Sequence, residues 1–425
     1  MTIDRAPTPL DAVPPPRSER DRDDAGSLPP LATRMAAMPV SAVREILKVA
    51  ERPDVLSFAG GLPAPELFPV AAIAEAIAEV LRDSGGAALQ YSTTEGYGPL
   101  REWIAEHLRG RGIPARPDEL LIMNGSQQGI DLVARILLDP GDVVLVENPT
   151  YLAAIQAFAA YQVRLVAVPS DDGGMQVDEV AALIAAHKPK LIYLVPSFQN
   201  PKGTTLSTAR REALAAIAAA HRVAILEDDP YGALSFAGPQ PRPIAAAAAA
   251  AGHNNVLYLS TFSKTLAPGL RLGWLWGHPA LVRKATIAKQ AADLHTATLA
   301  QRATVALLGR FDYAGHVAKL CEVYSARCQT MLTALAEHTP IGTRWVTPTG
   351  GMFVWLQLPA GHDADALLPL AIERKVAFVP GSAFYIDAIR RDVIRLNFSN
   401  QPPSAIVEGM RRLGGVIAAA SIRQP

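Results

Sequence analysis

Short runs rich in β-branched residues alternate with longer Ala- and Leu-rich stretches from about Glu119 onward, and this alternation limits the possible fold more than any other feature. The longer stretches repeat their apolar residues near a helical period, which predicts helices. Parallel strands joined by crossover helices produce this pattern, because both faces of such a sheet are covered. Six runs are predicted strands: ELLIMN, VVLVEN, VRLVAV, LIYLVP, VAILED and VLYLST. An α/β domain of this kind binds its ligand beyond the carboxyl ends of the strands.

The pattern changes after about Arg310, where a long helical segment begins. The segments RWVTPTGGMFVWLQLP, KVAFVPGSAFY and VIRLNFS follow it and are predicted strands of a smaller α+β domain, closed by a helix near Met410. At the other end, the first thirty residues hold seven prolines and ten charged residues, too little apolar surface to fold. The sequence thus predicts a disordered tail and two domains with a cleft between them.

Charge and cysteine content exclude several classes of function. Forty Lys and Arg balance forty Asp and Glu, so no net charge attracts nucleic acid or an anionic membrane surface. Cys321 and Cys328 lack the spacing of a metal site or a disulfide framework. No apolar run reaches the roughly 20 residues of a membrane helix. We therefore expect a cytoplasmic protein that binds small molecules and no metal.

The segment STFSKTLAPGLRLGW, residues 260–274, follows the last predicted strand of the large domain and has the most specific chemistry. Hydroxyls at Thr261 and Ser263 and the guanidinium of Arg271 suit a phosphate, while Lys264 could form an imine with an aldehyde. Pyridoxal 5′-phosphate (PLP) is a phosphate and an aldehyde in one molecule. A lysine taken singly is usually a solvated surface residue, but its neighbours here favour a cofactor lysine.

This segment resembles the cofactor-lysine motif of class I/II aminotransferases of PLP fold type I, and the resemblance extends from about Arg34 to Arg412. Eight further segments match in order the branch that includes 2-aminoadipate and kynurenine aminotransferases: SFAGGLPAPELFP, QYSTTEGYGPLRE, NGSQQGIDL, ENPTYLAA, PSFQNPKG, EDDPYG, KQAADLHT and GGMFVW. The resemblance implies a mainly parallel seven-stranded sheet in the large domain. The predicted limits are a tail over 1–33, an arm over 34–66 that contributes to the small domain and the substrate pocket, a large PLP-binding domain over 67–309 and a small domain over 310–425.

Residues at the ends of predicted strands are candidates for contacts with the cofactor ring. Asp228 ends VAILED, where a carboxylate would keep the pyridine nitrogen protonated; alternatively it is an acid of the DDPY turn. Its neighbour Asp229 should point the opposite way. By resemblance, Asn200 and Tyr231 contact the ring hydroxyl oxygen, although Asn200 also fits a plain Asn-Pro turn.

The phosphate and the subunit interface are assigned next. Gly125, Ser126 and Gln127 lie at a strand-to-helix turn, where free backbone amides form an anion site, although Ser126 alone would be a plain helix cap. By resemblance, Tyr151 stacks on the ring face. The family's active site lies between two subunits, and the tyrosine that matches Tyr91 reaches the neighbouring subunit's phosphate, which implies a homodimer. Core or turn aromatics are the alternatives for both tyrosines.

Substrate contacts follow from the resemblance as well. Arg395, within VIRLNFS, matches the arginine that binds the substrate α-carboxylate, a role suited to a planar two-pronged donor; a structural ion pair is the alternative. Arg44, with Gly60 and Gly61, matches the segment that borders the side-chain pocket. Arg44 could bind a distal carboxylate, or it could be one polar face of an ordinary amphipathic helix, and both interpretations are open.

The predicted activity is transfer of the amino group of an L-amino acid, of the 2-aminoadipate-like, aromatic or branched-chain type, to a 2-oxo acid. The resemblance implies 2-oxoglutarate as acceptor and ping-pong kinetics. Lys264, Asp228 and Tyr231 are the predicted catalytic residues. Two alternatives are another PLP reaction on the same fold, such as β-elimination or decarboxylation, and a non-catalytic, aminotransferase-like ligand sensor.

Overall fold

A computed structural model of the chain describes residues 29, 31–36, 52 and 54–421. Arg44 and most of the predicted tail lie outside these residues. Apart from a single turn at Thr33–Ala36, the helices are α1 (Val70–Ala88), α2 (Gly98–Gly110), α3 (Ser126–Leu137), α4 (Leu152–Ala159), α5 (Val180–His187), α6 (Thr208–Ala220), α7 (Ile244–Ala250), α8 (Pro279–Asp293), α9 (Thr298–Leu308), α10 (Tyr313–His338), α11 (Ala364–Glu373) and α12 (Pro403–Ser421). Ser207 caps α6 as predicted, because its side chain accepts a hydrogen bond from the Arg210 amide (3.3 Å).

Within residues 54–421, a short strand of the arm, β1 (Leu56–Ser57), precedes the seven strands of the large sheet. These seven are β2 (Leu120–Met123), β3 (Val143–Glu147), β4 (Arg164–Val168), β7 (Leu191–Leu194), β8 (Ala224–Asp228), β9 (Val256–Thr261) and β10 (Gly273–Trp276), and a short hairpin of β5 (Ser170–Asp171) and β6 (Gly174–Met175) lies between β4 and β7 in the chain. The order across the sheet is β2-β10-β9-β8-β7-β3-β4. All six strands named from the sequence are present, and they share one direction. The antiparallel β10 is the seventh, so the predicted mainly parallel sheet is confirmed.

Alternate side chains of the strands enter two different apolar cores, which shows that both sheet faces are covered. On β3, Val144 and Val146 belong to one core and Leu145 to the other. On β9, Leu259 and Tyr258 divide in the same way. Two-sided burial explains why these strands are apolar throughout rather than alternating.

The smaller part of the fold is a four-stranded antiparallel sheet, within the same described range. Its strands are β11 (Arg344–Trp345), β12 (Phe353–Gln357), β14 (Val379–Pro380) and β15 (Val393–Asn397), in the order β11-β12-β15-β14. Strand β1 pairs in parallel with β13 (Val376–Ala377), so the arm packs on this part of the chain. Helix α12 contains Met410 and packs against α10. The predicted α+β character is confirmed, while the domain limits stay a prediction.

The two sheets bring strand ends together. Asp228 ends β8 and Thr261 ends β9, two adjacent parallel strands, so both lie at one edge of the large sheet. Arg395, on β15 of the small sheet, reaches the same cavity. None of the helices that the structure describes is both long and apolar enough to cross a membrane.

Candidate active site

A cavity of about 540 Å³ lies at the carboxyl edge of the large sheet, between it and the small sheet. Sixteen residues were predicted for the site, and all of them except Arg44 are described by the structure. Thirteen of these fifteen line the cavity: Gly60, Gly61, Ser126, Gln127, Tyr151, Asn200, Asp228, Tyr231, Thr261, Ser263, Lys264, Arg271 and Arg395. Gly125 adjoins it, Tyr91 lies outside it, and Arg44 is outside the described residues. Residues far apart in the sequence therefore meet at one place.

Lys264 extends from the turn after β9 into the cavity. Its Nζ donates a hydrogen bond to the Gly61 carbonyl oxygen at 2.8 Å. Burial, followed by the positive charges of Arg395 and Arg271, lowers the pKa of Lys264 from 10.5 to about 8. A much larger fraction of this amine is therefore uncharged near neutral pH than for an exposed lysine, and an uncharged amine is a nucleophile and a base.

The start of α3 and the 261–271 segment form an anion-binding cradle. Gly125 has a φ of +81°, which favours glycine, and a Cβ there would lie 2.7 Å from an Arg271 guanidinium nitrogen, so a larger residue would displace the guanidinium. Arg271 donates to the Asn124 carbonyl oxygen at 3.0 Å, which holds its guanidinium beside the α3 N-terminus. The Thr261 and Ser263 hydroxyls lie 2.8 Å apart in the same cavity. Backbone amides, hydroxyls and a guanidinium are together a suitable set of donors for a phosphate.

Asp228 is the buried acid of the cavity, with 2% of its surface exposed. The Tyr193 hydroxyl donates to its Oδ2 at 2.9 Å, but Oδ1 has no hydrogen-bond partner among the described residues. Burial raises the pKa of Asp228 to about 7; the Tyr193 hydrogen bond opposes this shift, and the charge of Asp229 adds to it. A protonated pyridine nitrogen would supply the missing donor and favour the carboxylate form.

Sequence reasoning did not find Tyr193. A tyrosine inside the apolar run LIYLVP needs a partner for its hydroxyl when both faces of the strand are buried, and that signal pointed to a polar neighbour.

Arg395 is buried and aimed at Asn200. One terminal nitrogen donates to Asn200 Oδ1 (2.7 Å), the other to the Ala59 carbonyl oxygen (2.6 Å), and Nε has no partner among the described residues. Its guanidinium carbon lies 4.6 Å from the ring centre of Phe353. Asn200 in turn donates to the Tyr231 hydroxyl at 3.5 Å. Burial lowers the pKa of Arg395 to about 10, so it remains a cation at neutral pH.

The remaining predicted residues are placed as follows. Tyr151 precedes α4 at the cavity wall, and burial raises its pKa to about 12, so its ring is neutral. Gln127 also reaches toward α4, donating to the Ala153 carbonyl oxygen at 3.1 Å. Tyr91 is 77% exposed, with its ring edge-on to His295. It does not line the cavity of its own chain.

The cavity suits PLP on three structural grounds. It has a buried, partly uncharged amine for the aldehyde, a glycine-permitted cradle for the phosphate, and an orphan carboxylate oxygen for the ring nitrogen. These groups are of the right chemistry, and all border one cavity.

Comparison with known proteins gives the same result. The sequence model of the family described as aminotransferase class I and II matches residues 53–413. The chain is 43% identical over 386 residues to aromatic-amino-acid aminotransferase 1 of Thermococcus litoralis, covering 89% of this chain and 92% of that protein. It is 42% identical over 374 residues to the 2-aminoadipate transaminase of Thermus thermophilus, covering 88% and 93%.

A solved structure agrees as well. The α-aminoadipate aminotransferase LysN of Thermus thermophilus, in complex with N-(5′-phosphopyridoxyl)-L-leucine, superposes with a TM-score of 0.87 at 40% identity, covering 92% of this chain and 98% of that one. The PLP fold type I architecture, the cofactor and the amino-group transfer predicted from the sequence are therefore confirmed. The chain belongs to the class I and II aminotransferase family and is a PLP-dependent transaminase.

Proposed function

We propose that Lys264, Asp228 and Arg395 perform the amino-group transfer of this enzyme. The observation that best supports this is their common position on one cavity: a buried amine, an acid with an unpartnered oxygen, and a buried cation. When bound, PLP supplies an aldehyde that condenses with an amino group and a ring that withdraws electrons from the substrate Cα. The residues that would hold it are Gly125, Ser126, Gln127, Tyr151, Asn200, Asp228, Tyr231, Thr261, Ser263, Lys264 and Arg271.

Each protein group has a defined task in this proposal. Lys264 Nζ accepts the Cα proton of the substrate as general base, since its lowered pKa leaves it partly unprotonated. Asp228 holds the proton on the ring nitrogen. Tyr231, together with Asn200, donates to the ring oxygen. Arg395 fixes the substrate α-carboxylate through two parallel hydrogen bonds, which directs Cα toward the base.

For the substrate we propose a 2-aminoadipate-like, aromatic or branched-chain L-amino acid, with 2-oxoglutarate as the acceptor and a ping-pong order. The names of the similar enzymes, an aromatic-amino-acid aminotransferase and a 2-aminoadipate transaminase, support this range, as does the leucine adduct in the similar structure. A cytoplasmic location stays part of the proposal.

We also propose a homodimer with active sites at the subunit interface. Tyr91 is 77% exposed, Leu89 is 72% exposed and Leu294 is 51% exposed. Leu89 is two residues from Tyr91 in the chain, and Leu294 adjoins His295, whose ring contacts that of Tyr91. An exposed apolar patch of this kind is typical of an interface. Sedimentation equilibrium should give twice the monomer mass, and a monomer that retains PLP and full transaminase activity would contradict the assignment.

The experiment that tests the residue roles is a half-reaction. Purified holoprotein is mixed separately with 2-aminoadipate, glutamate, kynurenine, leucine, valine and phenylalanine, and conversion of the bound cofactor to its aminated form is followed by absorbance. Lys264→Ala should bind PLP without the lysine-linked absorbance band and should convert it with none of these amino acids. Conversion of the cofactor at the wild-type rate in this variant would contradict the role of Lys264.

Arg44 is tested with the same assay. Arg44→Ala should slow 2-aminoadipate and glutamate selectively, and leave leucine and phenylalanine unchanged, if Arg44 binds a distal carboxylate. Arg34→Ala is the matched control, because Arg34 is an exposed arginine of the same arm. If the ratio of the conversion rates with dicarboxylic and with apolar amino acids is unchanged, Arg44 does not bind a distal carboxylate.

A further inference from the structure

Three consecutive acids, Glu227, Asp228 and Asp229, are buried at the end of β8, each with 2% or less of its surface exposed. Adjacent residues of a strand point to opposite faces. Asp228 lines the cavity, whereas Asp229 contacts Tyr258 in the core on the other sheet face. Three like charges this close would oppose one another's ionisation unless cations offset them.

An arginine lies beside each of the two acids that do not line the cavity. Arg111, which follows α2, donates from Nη1 to Asp229 Oδ2 at 2.9 Å, and its side chain is 11% exposed. Arg211 on α6 lies 3.8 Å from Glu227 Oε1, whose carboxylate also accepts from two backbone amides at the start of α7. Asp228 accepts only the neutral hydrogen bond of Tyr193 among the described residues. The arrangement leaves Asp228 as the acid without a protein cation.

Asp229 also holds the turn that contains Pro230 and Tyr231, which line the cavity. Its amide donates to the Leu259 carbonyl oxygen at 2.8 Å, and its own carbonyl oxygen accepts from the Ser260 hydroxyl at 2.8 Å. Its Oδ1 accepts from the Gly232 amide at 2.9 Å. A Cβ at Gly232 would lie 2.4 Å from that oxygen, so a larger residue there would displace the Asp229 carboxylate. Asp229 therefore anchors the segment that leads to Gly232, and Arg111 holds the Asp229 carboxylate.

We propose that Arg111 is a positioning residue for amino-group transfer: by neutralising Asp229 behind the cavity, it lets Asp228 stay ionised and keep the proton on the cofactor's ring nitrogen. This proposal rests on the role assigned to Asp228 above. With the cofactor bound, Asp228 Oδ1 would share one proton with the ring nitrogen. Raising the negative charge behind Asp228 moves that proton from the nitrogen to the carboxylate, and an unprotonated ring withdraws electrons less well.

Other charged and titratable groups surround the pair, and none of them is substituted in the test. Those that act on Asp229, Asp228 or Arg111 are His107 from α2, Glu227 from β8, Tyr258 from β9, Arg211 from α6, Tyr193 from β7, and Tyr151 and Tyr231 from the cavity wall. Burial, followed by the charge of Arg111, lowers the pKa of His107 to about 4, so it is neutral near pH 7. Arg111 is thus the cation that contacts Asp229 directly.

The test measures the ring proton itself rather than turnover. The ¹⁵N chemical shift of ring-labelled PLP, bound to the purified full-length protein, distinguishes a protonated from an unprotonated nitrogen. The wild type should show a protonated nitrogen at pH 7.5. Arg111→Met should shift the signal toward the unprotonated value and lower kcat/KM by about tenfold or more, the scale expected when a buried charge loses its partner.

Two further variants separate electrostatics from damage to the fold. Arg111→Lys keeps the charge. Arg111→Met combined with Asp229→Asn removes both charges, while the side-chain amide oxygen introduced by the second substitution can still accept from the Gly232 amide. Both variants should retain the protonated signal and recover most of the activity. A structural role alone predicts that the double variant is as impaired as Arg111→Met or more so.

The outcomes are distinguishable from those for the proposed function. Asp228→Asn should give an unprotonated nitrogen, and if it does not, the role of Asp228 is wrong. If Asp228→Asn changes the signal and Arg111→Met leaves it at the wild-type value, only the role of Arg111 is overturned. If Arg111→Met alone cannot be purified folded, the test rests on the double variant, Arg111→Met with Asp229→Asn. A protonated ring nitrogen in the double variant supports the proposal, and an unprotonated one overturns it.

Discussion

Replacing Arg395 with lysine removes hydrogen-bonding capacity from the cavity while keeping its positive charge. The guanidinium has five N–H groups. Two of them are used within the protein, on Asn200 Oδ1 and on the Ala59 carbonyl oxygen. The second proton on each terminal nitrogen and the unpartnered Nε proton remain available for a substrate carboxylate.

A lysine at this position has three protons to distribute. If two continue to satisfy the buried oxygens of Asn200 and Ala59, one is left for the α-carboxylate, so one of two charge-assisted hydrogen bonds is lost. Each such bond contributes about 1.5–3 kcal/mol. That free energy corresponds to about a 10- to 150-fold loss. The flat stacking of the guanidinium near the Phe353 and Phe384 rings, at 4.6 and 5.0 Å, is lost too.

The assay is the half-reaction with leucine and, in parallel, with a primary amine that has the same side chain and no carboxylate. Arg395→Lys should lower kcat/KM for leucine within that range, mostly through KM, since the carboxylate is bound equally before and during proton transfer. The amine should react as slowly with the variant as with the wild type. Arg344→Lys on β11 is the matched control, because Arg344 is an exposed arginine of the same small sheet.

Two results would refute this reasoning. Equal losses for leucine and for the amine would mean that the variant disturbs the cavity in general rather than carboxylate binding. An unchanged kcat/KM for leucine would mean that Arg395 does not contact the substrate, and that its hydrogen bonds to Asn200 and Ala59 are purely structural.

Two other changes test the cofactor contacts. Only the uncharged amine attacks an aldehyde, so the rate at which the apoprotein captures PLP, followed by stopped-flow absorbance, should rise with pH. The rate should level off above about pH 8, the lowered pKa of Lys264. A rate that keeps rising toward pH 10.5 would contradict the lowered pKa. Gly125→Ala should weaken PLP binding by roughly tenfold in a fluorescence titration, since the backbone strain of about 1–3 kcal/mol is joined by a contact at 2.7 Å with Arg271. Gly238→Ala, at a φ of +73° with open space around it, is the control for strain without a contact.

Local patterns predicted the parallel strands because two-sided burial leaves an unambiguous trace in the sequence. VAILED became β8 and VLYLST became β9, each within a residue or two of its predicted limits. The antiparallel β10 leaves a weaker trace, although Leu275 and Trp274 also enter the two cores. It is four residues long, it directly follows the Arg271 turn, and it starts at Gly273, where a Cβ would lie 2.9 Å from the Gly125 backbone. Its pairing with β2 and β9 brings together segments far apart in the chain, which no local period records.

The residues of the site also divide into those that local sequence predicts and those that it does not. Residues at or just after the ends of strands, such as Asp228 and Lys264, could be predicted, because parallel strands bring their carboxyl ends to one edge. Partners within the strands could not: Tyr193 is separated from Asp228 by 35 residues, and Arg111 from Asp229 by 118. Which buried tyrosine or arginine meets which acid depends on strand order and on the packing of α2, and neither is written in local sequence.

The charges of the cavity bear on the choice of substrate side chain. Among the described residues that line it, the cations are Lys264, Arg271 and Arg395, and each already has a proposed task with the aldehyde, the phosphate or the α-carboxylate. Much of the remaining lining is uncharged and includes Leu152 and Phe384, which belong to one apolar cluster. Aliphatic and aromatic side chains bind such a surface without a further partner, whereas a distal carboxylate needs a cation to offset its desolvation. We therefore expect leucine and phenylalanine to react whatever the role of Arg44, and the rate with 2-aminoadipate to depend on it.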